Sequence, residues 1–160
     1  VYKRCDEFNH ETLEWIRASA SMPIVSNIVE VGGCKLLDGG VADSIPLKYF
    51  QGLDYSRNIV ILTQPIDYQK KPLKAMPLAK WMLRKYPLML KAMATRHIMY
   101  NEQTSYIRQE ESAGRCLVIR PEQSINIGHF TISADEMQRV YELGREAAQK
   151  MIGEIKEFME

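Results

Sequence analysis

Two apolar, β-branched runs, each closed by a proline, constrain this chain more than any other feature in it. Asn58 to Thr63 (NIVILT) is stopped by Pro65, and Cys116 to Arg120 (CLVIR) is stopped by Pro121. Runs this apolar, with no polar alternation, are the pattern of strands buried on both faces in a parallel sheet. Between them lies a helical region from about Leu73 to Glu111, where Pro77 and Pro87 each open a new helical stretch, since proline fits a first turn and disrupts an interior. Strand, helices, strand and a final helix in this order indicate an α/β sheet with helices on its faces.

The flanks agree with that reading. Asn9 to Ser21 reads as a short helix with Asn9 as its cap, ending before Pro23. Ile24–Val25, Ile28–Val31 and Lys35–Leu37 are β-prone pieces, and the Gly32–Gly33 pair between the last two reads as a tight hairpin turn. At the other end Ser133-Ala-Asp-Glu136 is a capping box ahead of Met137, Val140, Tyr141, Ala148, Met151, Ile155 and Phe158, which predicts one long amphipathic helix. No internal repeat or linker interrupts the pattern, so residues 1–160 are expected to form one domain.

Composition narrows the function classes. With 46% hydrophobic and 26% charged residues over 160 positions, the chain can bury a sizeable core and is neither disordered nor a disulfide scaffold. A net charge of +1 removes the usual electrostatic case for nucleic acid, which a strongly basic face normally meets. Three cysteines, Cys5, Cys34 and Cys116, lack C-x-x-C spacing and companion histidines, so no metal site is suggested and a reducing, cytoplasmic setting fits. Apolar stretches fall short of the ~20 residues of a membrane span. The chain opens on Val1 and a charged run instead of a methionine, and is expected to be a piece of a longer protein.

One segment carries chemistry: Lys35-Leu-Leu-Asp38-Gly39-Gly40-Val41-Ala42-Asp43-Ser44-Ile45-Pro46. An acid at the end of an apolar strand sits where catalytic groups of open α/β sheets gather. Gly39 and Gly40 permit positive φ and close backbone approach, which would make Gly39→Val damaging. The plain alternative is a tight turn in which Asp38 makes an Asx bond and the glycines reverse the chain. Spacing alone favours the plain turn.

Context beyond the turn points the other way. The run from Ala18 to Leu47, ASASMPIVSNIVEVGGCKLLDGGVADSIPL, resembles the second motif region of the patatin-like phospholipases, in which small residues and a proline lead into a hairpin and an Asp-Gly-Gly segment. NIVILTQP resembles the core strand that follows, and the later helices and CLVIRPEQSINI follow the order of a bacterial branch of that family, so the resemblance extends over nearly the whole chain. It implies a three-layer α/β/α sheet and an acyl-ester hydrolase acting on phospholipid or lysophospholipid through a Ser–Asp dyad, with no cofactor. The acid of that dyad would be Asp38, supported by Gly39 and Gly40. A carboxylate bonded to a serine hydroxyl can orient it and accept its proton, so His10, His97 and His129 are not required.

The departure from the family is equally specific. A nucleophile elbow needs G-x-S-x-G, and neither Ser19, Ser21, Ser44 and Ser112 nor any other serine has glycine at both flanking positions. A glycine-rich loop to supply oxyanion donors is absent too. The chain therefore looks like the C-terminal part of a patatin-like domain without its nucleophile, inactive by itself and prone to self-association through unpaired sheet. Asp43 as a second catalytic or metal-binding carboxylate and Cys34 as a nucleophile are weaker candidates, because turn acids and structural cysteines are common.

Residues 68 to 101 contain eight basic residues from Lys70 to Arg96, no acid, and Trp81, Tyr86 and five methionines. This stretch suits peripheral contact with anionic lipid. The plainer reading is a helix whose apolar face packs on the sheet and whose basic face is solvated or pairs with the acid-rich C-terminal helix. Beside the hydrolase, two other classes remain open: a non-catalytic α/β binding module, and a membrane-surface adaptor.

Overall fold

The computed structural model describes residues 1–128 and 133–160; His129 lies outside the described residues. The elements are α1 (His10–Ser19), β1 (Val29–Val31), β2 (Cys34–Leu36), a 3-10 turn (Gly39–Val41), α2 (Leu47–Gln51), β3 (Asn58–Ile61), α3 (Met76–Met82), α4 (Pro87–Ser112), β4 (Cys116–Ile119), α5 (Ala134–Lys150) and α6 (Ile152–Met159). Among the described residues the fold is mixed α/β, about half helical, with two separate two-stranded sheets. It divides into two compact units: Val1–Ile45 with Lys70–Thr104, and Pro46–Gln69 with Ser105–Glu160.

In the first unit the Asn9 side chain accepts from Thr12 N at 2.9 Å and caps α1, a contribution of about 1 kcal/mol. β1 and β2 pair antiparallel, Val31 opposite Cys34. The turn between them takes φ of 57° at Gly32 and 72° at Gly33, the left-handed pair that a two-residue hairpin demands. Gly32 is fixed a second time by packing, because a Cβ there would lie 2.7 Å from the Trp15 ring. Ala18 and the hairpin's Val29 and Val31 form one small core with Trp15 and Leu36 against them. Ile24–Val25 is not a strand: it lies in a turn, with Ile24 at φ 75°.

A second core in the same unit joins Val41, Ala79, Leu83 and Met93. Pro77 sits in the first turn of α3 and Pro87 begins α4, where a missing N–H costs nothing. Met76, Ala79 and Leu83 recur at helical spacing and turn inward.

In the second unit β3 and β4 run parallel, Asn58 opposite Cys116 and Ile61 opposite Ile119. Burial on both faces holds for β4 and fails for β3, where Val60 is buried but Ile61 is 73% exposed. Among the described residues nothing covers the outward face of Ile61. The C-terminal helix is two helices. It breaks at Met151, whose N–H closes on Ala148 O in a tighter, three-residue turn. Ser133 caps α5 as its capping box predicts, accepting from Glu136 N.

An ion pair between a buried Glu110 and an exposed Arg115 ties α4 to the loop before β4. Glu110, 5% exposed, accepts from Arg115 Nε at 2.9 Å and Nη2 at 2.5 Å and from Gln51 Nε2 at 2.7 Å, while Gln51 Oε1 accepts from the Tyr106 hydroxyl at 2.7 Å. The Arg115 hydrogen bonds, then Gln51, pull the Glu110 carboxyl from 4.5 down to about 2. A carboxyl that titrates lower when folded adds stability above its unfolded value and loses it as pH falls through the folded one. Urea midpoints should therefore fall more steeply between pH 4.5 and about 2 in the parent than in Glu110→Gln. Parallel curves for the two proteins would remove Glu110 from the acid response.

Candidate functional site

The Asp-Gly-Gly segment is held in the first unit by bonds from three directions. Asp38 follows β2 and caps the 3-10 turn, with Oδ1 accepting from Gly40 N at 2.7 Å. Its own N–H donates to Ser21 O at 2.7 Å, tying it to the end of α1. Gly40 O accepts from Ser44 Oγ at 2.6 Å and, across 56 residues of sequence, from Arg96 Nε of α4 at 2.9 Å. Val41, fully inside, anchors the turn in the core; burial of such a side chain is worth about 1.5–3 kcal/mol.

This arrangement leaves Asp38 half-buried with one oxygen committed and one available. Among the described residues no donor reaches Oδ2. Neither glycine takes a left-handed φ, which corrects the expectation from sequence. Gly40 is the more crowded of the two: a Cβ there would stand 3.1 Å from Asp38 Oδ1, a tight contact, and 3.6 Å from Arg96 Nη2. Gly39 is not crowded: the nearest atom to a Cβ is Ser19 Oγ at 3.9 Å.

The other candidates resolve into structural roles. Asp43 accepts from the Tyr2 hydroxyl and from Gln103 Nε2, and Gln103 in turn accepts from Ile45 N at 3.1 Å, so both carboxylate oxygens hold the turn in place. The hydroxyls of Ser21, Ser44 and Ser112 donate to backbone carbonyls. Ser19 is exposed beside the turn. Cys34 is exposed and free; Cys116 is buried, and burial pushes its thiol upward, away from a reactive thiolate. Among the described residues no three metal-ligating side chains converge, and no helix is long and apolar enough to cross a membrane. A shallow, open depression along α4, lined by Ser105, Arg108, Gln109, Ser112 and Ala113, belongs to the second unit and contains no activated group.

Sequence reading missed Arg96 as a partner of Gly40. It counted Arg96 among surface charges, and no local signal marks a contact made across such a distance in the chain. Lys70, at the other end of the basic stretch, is also packed inward: it lies 4.5 Å from the Tyr100 ring, its backbone exchanges hydrogen bonds with the Asn101 side chain, and burial, then Arg96, pulls its ammonium downward. The free basic surface is therefore shorter than Lys70 to Arg96.

Residues 1–50 match the family model Patatin-like phospholipase. The patatin-like match takes in α1, the hairpin and the whole Asp38 turn, and ends well short of the nearly complete extent expected from sequence. Residues 86–160 match a second model, described as Domain of unknown function (DUF6363). No curated protein and no solved structure gives a significant match. The patatin-like match supports lipid acyl hydrolysis at the level of the family and an α/β fold for that family.

Proposed function

We propose that this chain is the C-terminal part of a patatin-like domain and carries the acid of a Ser–Asp dyad that hydrolyses acyl esters of phospholipid or lysophospholipid. The observation that carries the reading is the half-buried Asp38, whose Oδ1 is fixed by Gly40 N while Oδ2 keeps its capacity to accept a proton. A serine from a segment outside this sequence would donate to that oxygen. As Oγ bonds to the ester carbonyl carbon, its proton passes to Asp38; the tetrahedral intermediate then expels the alcohol, which takes the proton back. Water repeats the cycle on the acyl-serine. In the same reading β3, bare on one side, continues into a larger three-layer sheet, and without that cover its exposed Ile59 and Ile61 promote self-association.

The test uses the chain alone. It should release no p-nitrophenol from short acyl esters above background, take no label from a fluorophosphonate, and sediment as more than a monomer. Robust turnover with labelling at Ser19 would overturn the reading, since it would supply a nucleophile from within. A second reading, a non-catalytic binding module, is favoured by one feature: the Asp38–Gly40 bond is what a plain Asx turn also makes. Joining a G-x-S-x-G segment to this chain separates the two, because only the hydrolase reading expects activity that depends on Asp38.

A further inference from the structure

The helix α3 is apolar on two faces, and among the described residues only one of them has a partner. Met76, Ala79 and Leu83 pack into the core with Val41 and Met93. Leu78, Trp81 and Met82 stand at i, i+3 and i+4, which places them together on another face, and all three are exposed, Trp81 at 69%. In the first turn of α4 Leu88 is 82% exposed. The inward face packs as one reading of the sequence expected, though on the 3-10 turn and α4 and not on a sheet.

Charge identifies the occupant of the outer face. From Lys74 to Lys91 the chain has five basic residues and no acid. Lys80, Arg84 and Lys91 are exposed, and no carboxylate among the described residues pairs with any of them. Lys70 and Arg96, which end the longer basic run, are engaged elsewhere and take no part. An apolar strip carrying a tryptophan, bordered by unpaired cations, matches the interface of a bilayer, where acyl chains accept the apolar side chains and anionic head groups meet the cations.

We infer that the outer face of α3, with the start of α4, docks this chain onto anionic lipid surfaces through Trp81 and the neighbouring Lys80, Arg84 and Lys91. The inference stands apart from ester hydrolysis, because docking needs no serine and no turnover. It is tested by flotation of the full chain with vesicles of phosphatidylcholine alone and of phosphatidylcholine mixed with phosphatidylglycerol. Binding should favour the anionic vesicles, weaken as salt rises, and fall roughly tenfold or more in a Lys80→Gln, Arg84→Gln, Lys91→Gln variant, given the attraction each cation near the surface supplies. Trp81→Ala should weaken binding as well and abolish the vesicle-dependent blue shift of tryptophan emission. These side chains are exposed and unpaired, so the thermal melts of both variants should overlay the parent. Equal binding to the two vesicle types, no binding to either, or undiminished binding by the triple variant overturns the inference. So does a variant that ignores vesicles and instead converts an oligomer to a monomer, which would assign the face to a second copy of the chain.

Discussion

Asp38→Asn is expected to lower ester hydrolysis about ten-thousandfold in a polypeptide that joins this chain to a G-x-S-x-G segment, the loss seen when the acid of a catalytic triad is made an amide. The substitution is informative because in the proposed dyad the two carboxylate oxygens have different duties. Asparagine keeps an oxygen that can accept from Gly40 N, so the turn and the bond from Asp38 N to Ser21 O survive. Its amide nitrogen replaces Oδ2, and an NH2 group can donate but cannot accept the serine proton. Folding should be nearly unchanged, with thermal midpoints close to the parent. If kcat/KM stays within a few-fold, Asp38 is a turn residue and the binding-module reading is favoured.

How much of this was legible in the sequence follows the range of the interaction concerned. Local devices read correctly: the Asn9 cap, the Gly32–Gly33 turn, proline at the starts of α3 and α4, and the Ser133 capping box all depend on residues a few positions apart. That NIVILT and CLVIR are strands of a parallel sheet also read correctly, because an apolar run closed by proline leaves few alternatives; that they pair with each other is shown by the structure. Burial of β3 did not, since pattern reports what a strand is suited to and the bare face of Ile61 depends on what else is present. The break at Met151 was hidden inside an unbroken amphipathic repeat. At the site, Asp38 and its glycines were visible as a motif, whereas Arg96, the arginine that holds Gly40 O, was not. Its role arises from tertiary approach of α4, and its residue type fitted a surface charge equally well.

The two glycines beside Asp38 should respond unequally to the same added methyl group, and the difference tests whether the turn is built around the carboxylate. At Gly40 a Cβ would press on Asp38 Oδ1 at 3.1 Å while meeting the Arg96 guanidinium at 3.6 Å. Relief would require the carboxylate to shift or the Arg96 bond to Gly40 O to lengthen, and overpacking of this kind costs about 1–3 kcal/mol. At Gly39 the backbone is not left-handed and the nearest atom is an exposed serine hydroxyl at 3.9 Å, so alanine fits. There the restriction of the unfolded chain should make the change neutral or stabilising by up to ~1 kcal/mol. Chemical denaturation of Gly40→Ala and Gly39→Ala, side by side, should therefore place their midpoints on opposite sides of the parent or leave only Gly40→Ala shifted downward. Activity in the joined polypeptide should follow the same order, because moving Asp38 Oδ1 also moves the oxygen that would take the proton. Equal losses at the two positions would mean that the segment needs glycine for its backbone path alone, and that the close approach of Gly40 to the carboxylate has no bearing on where Asp38 points.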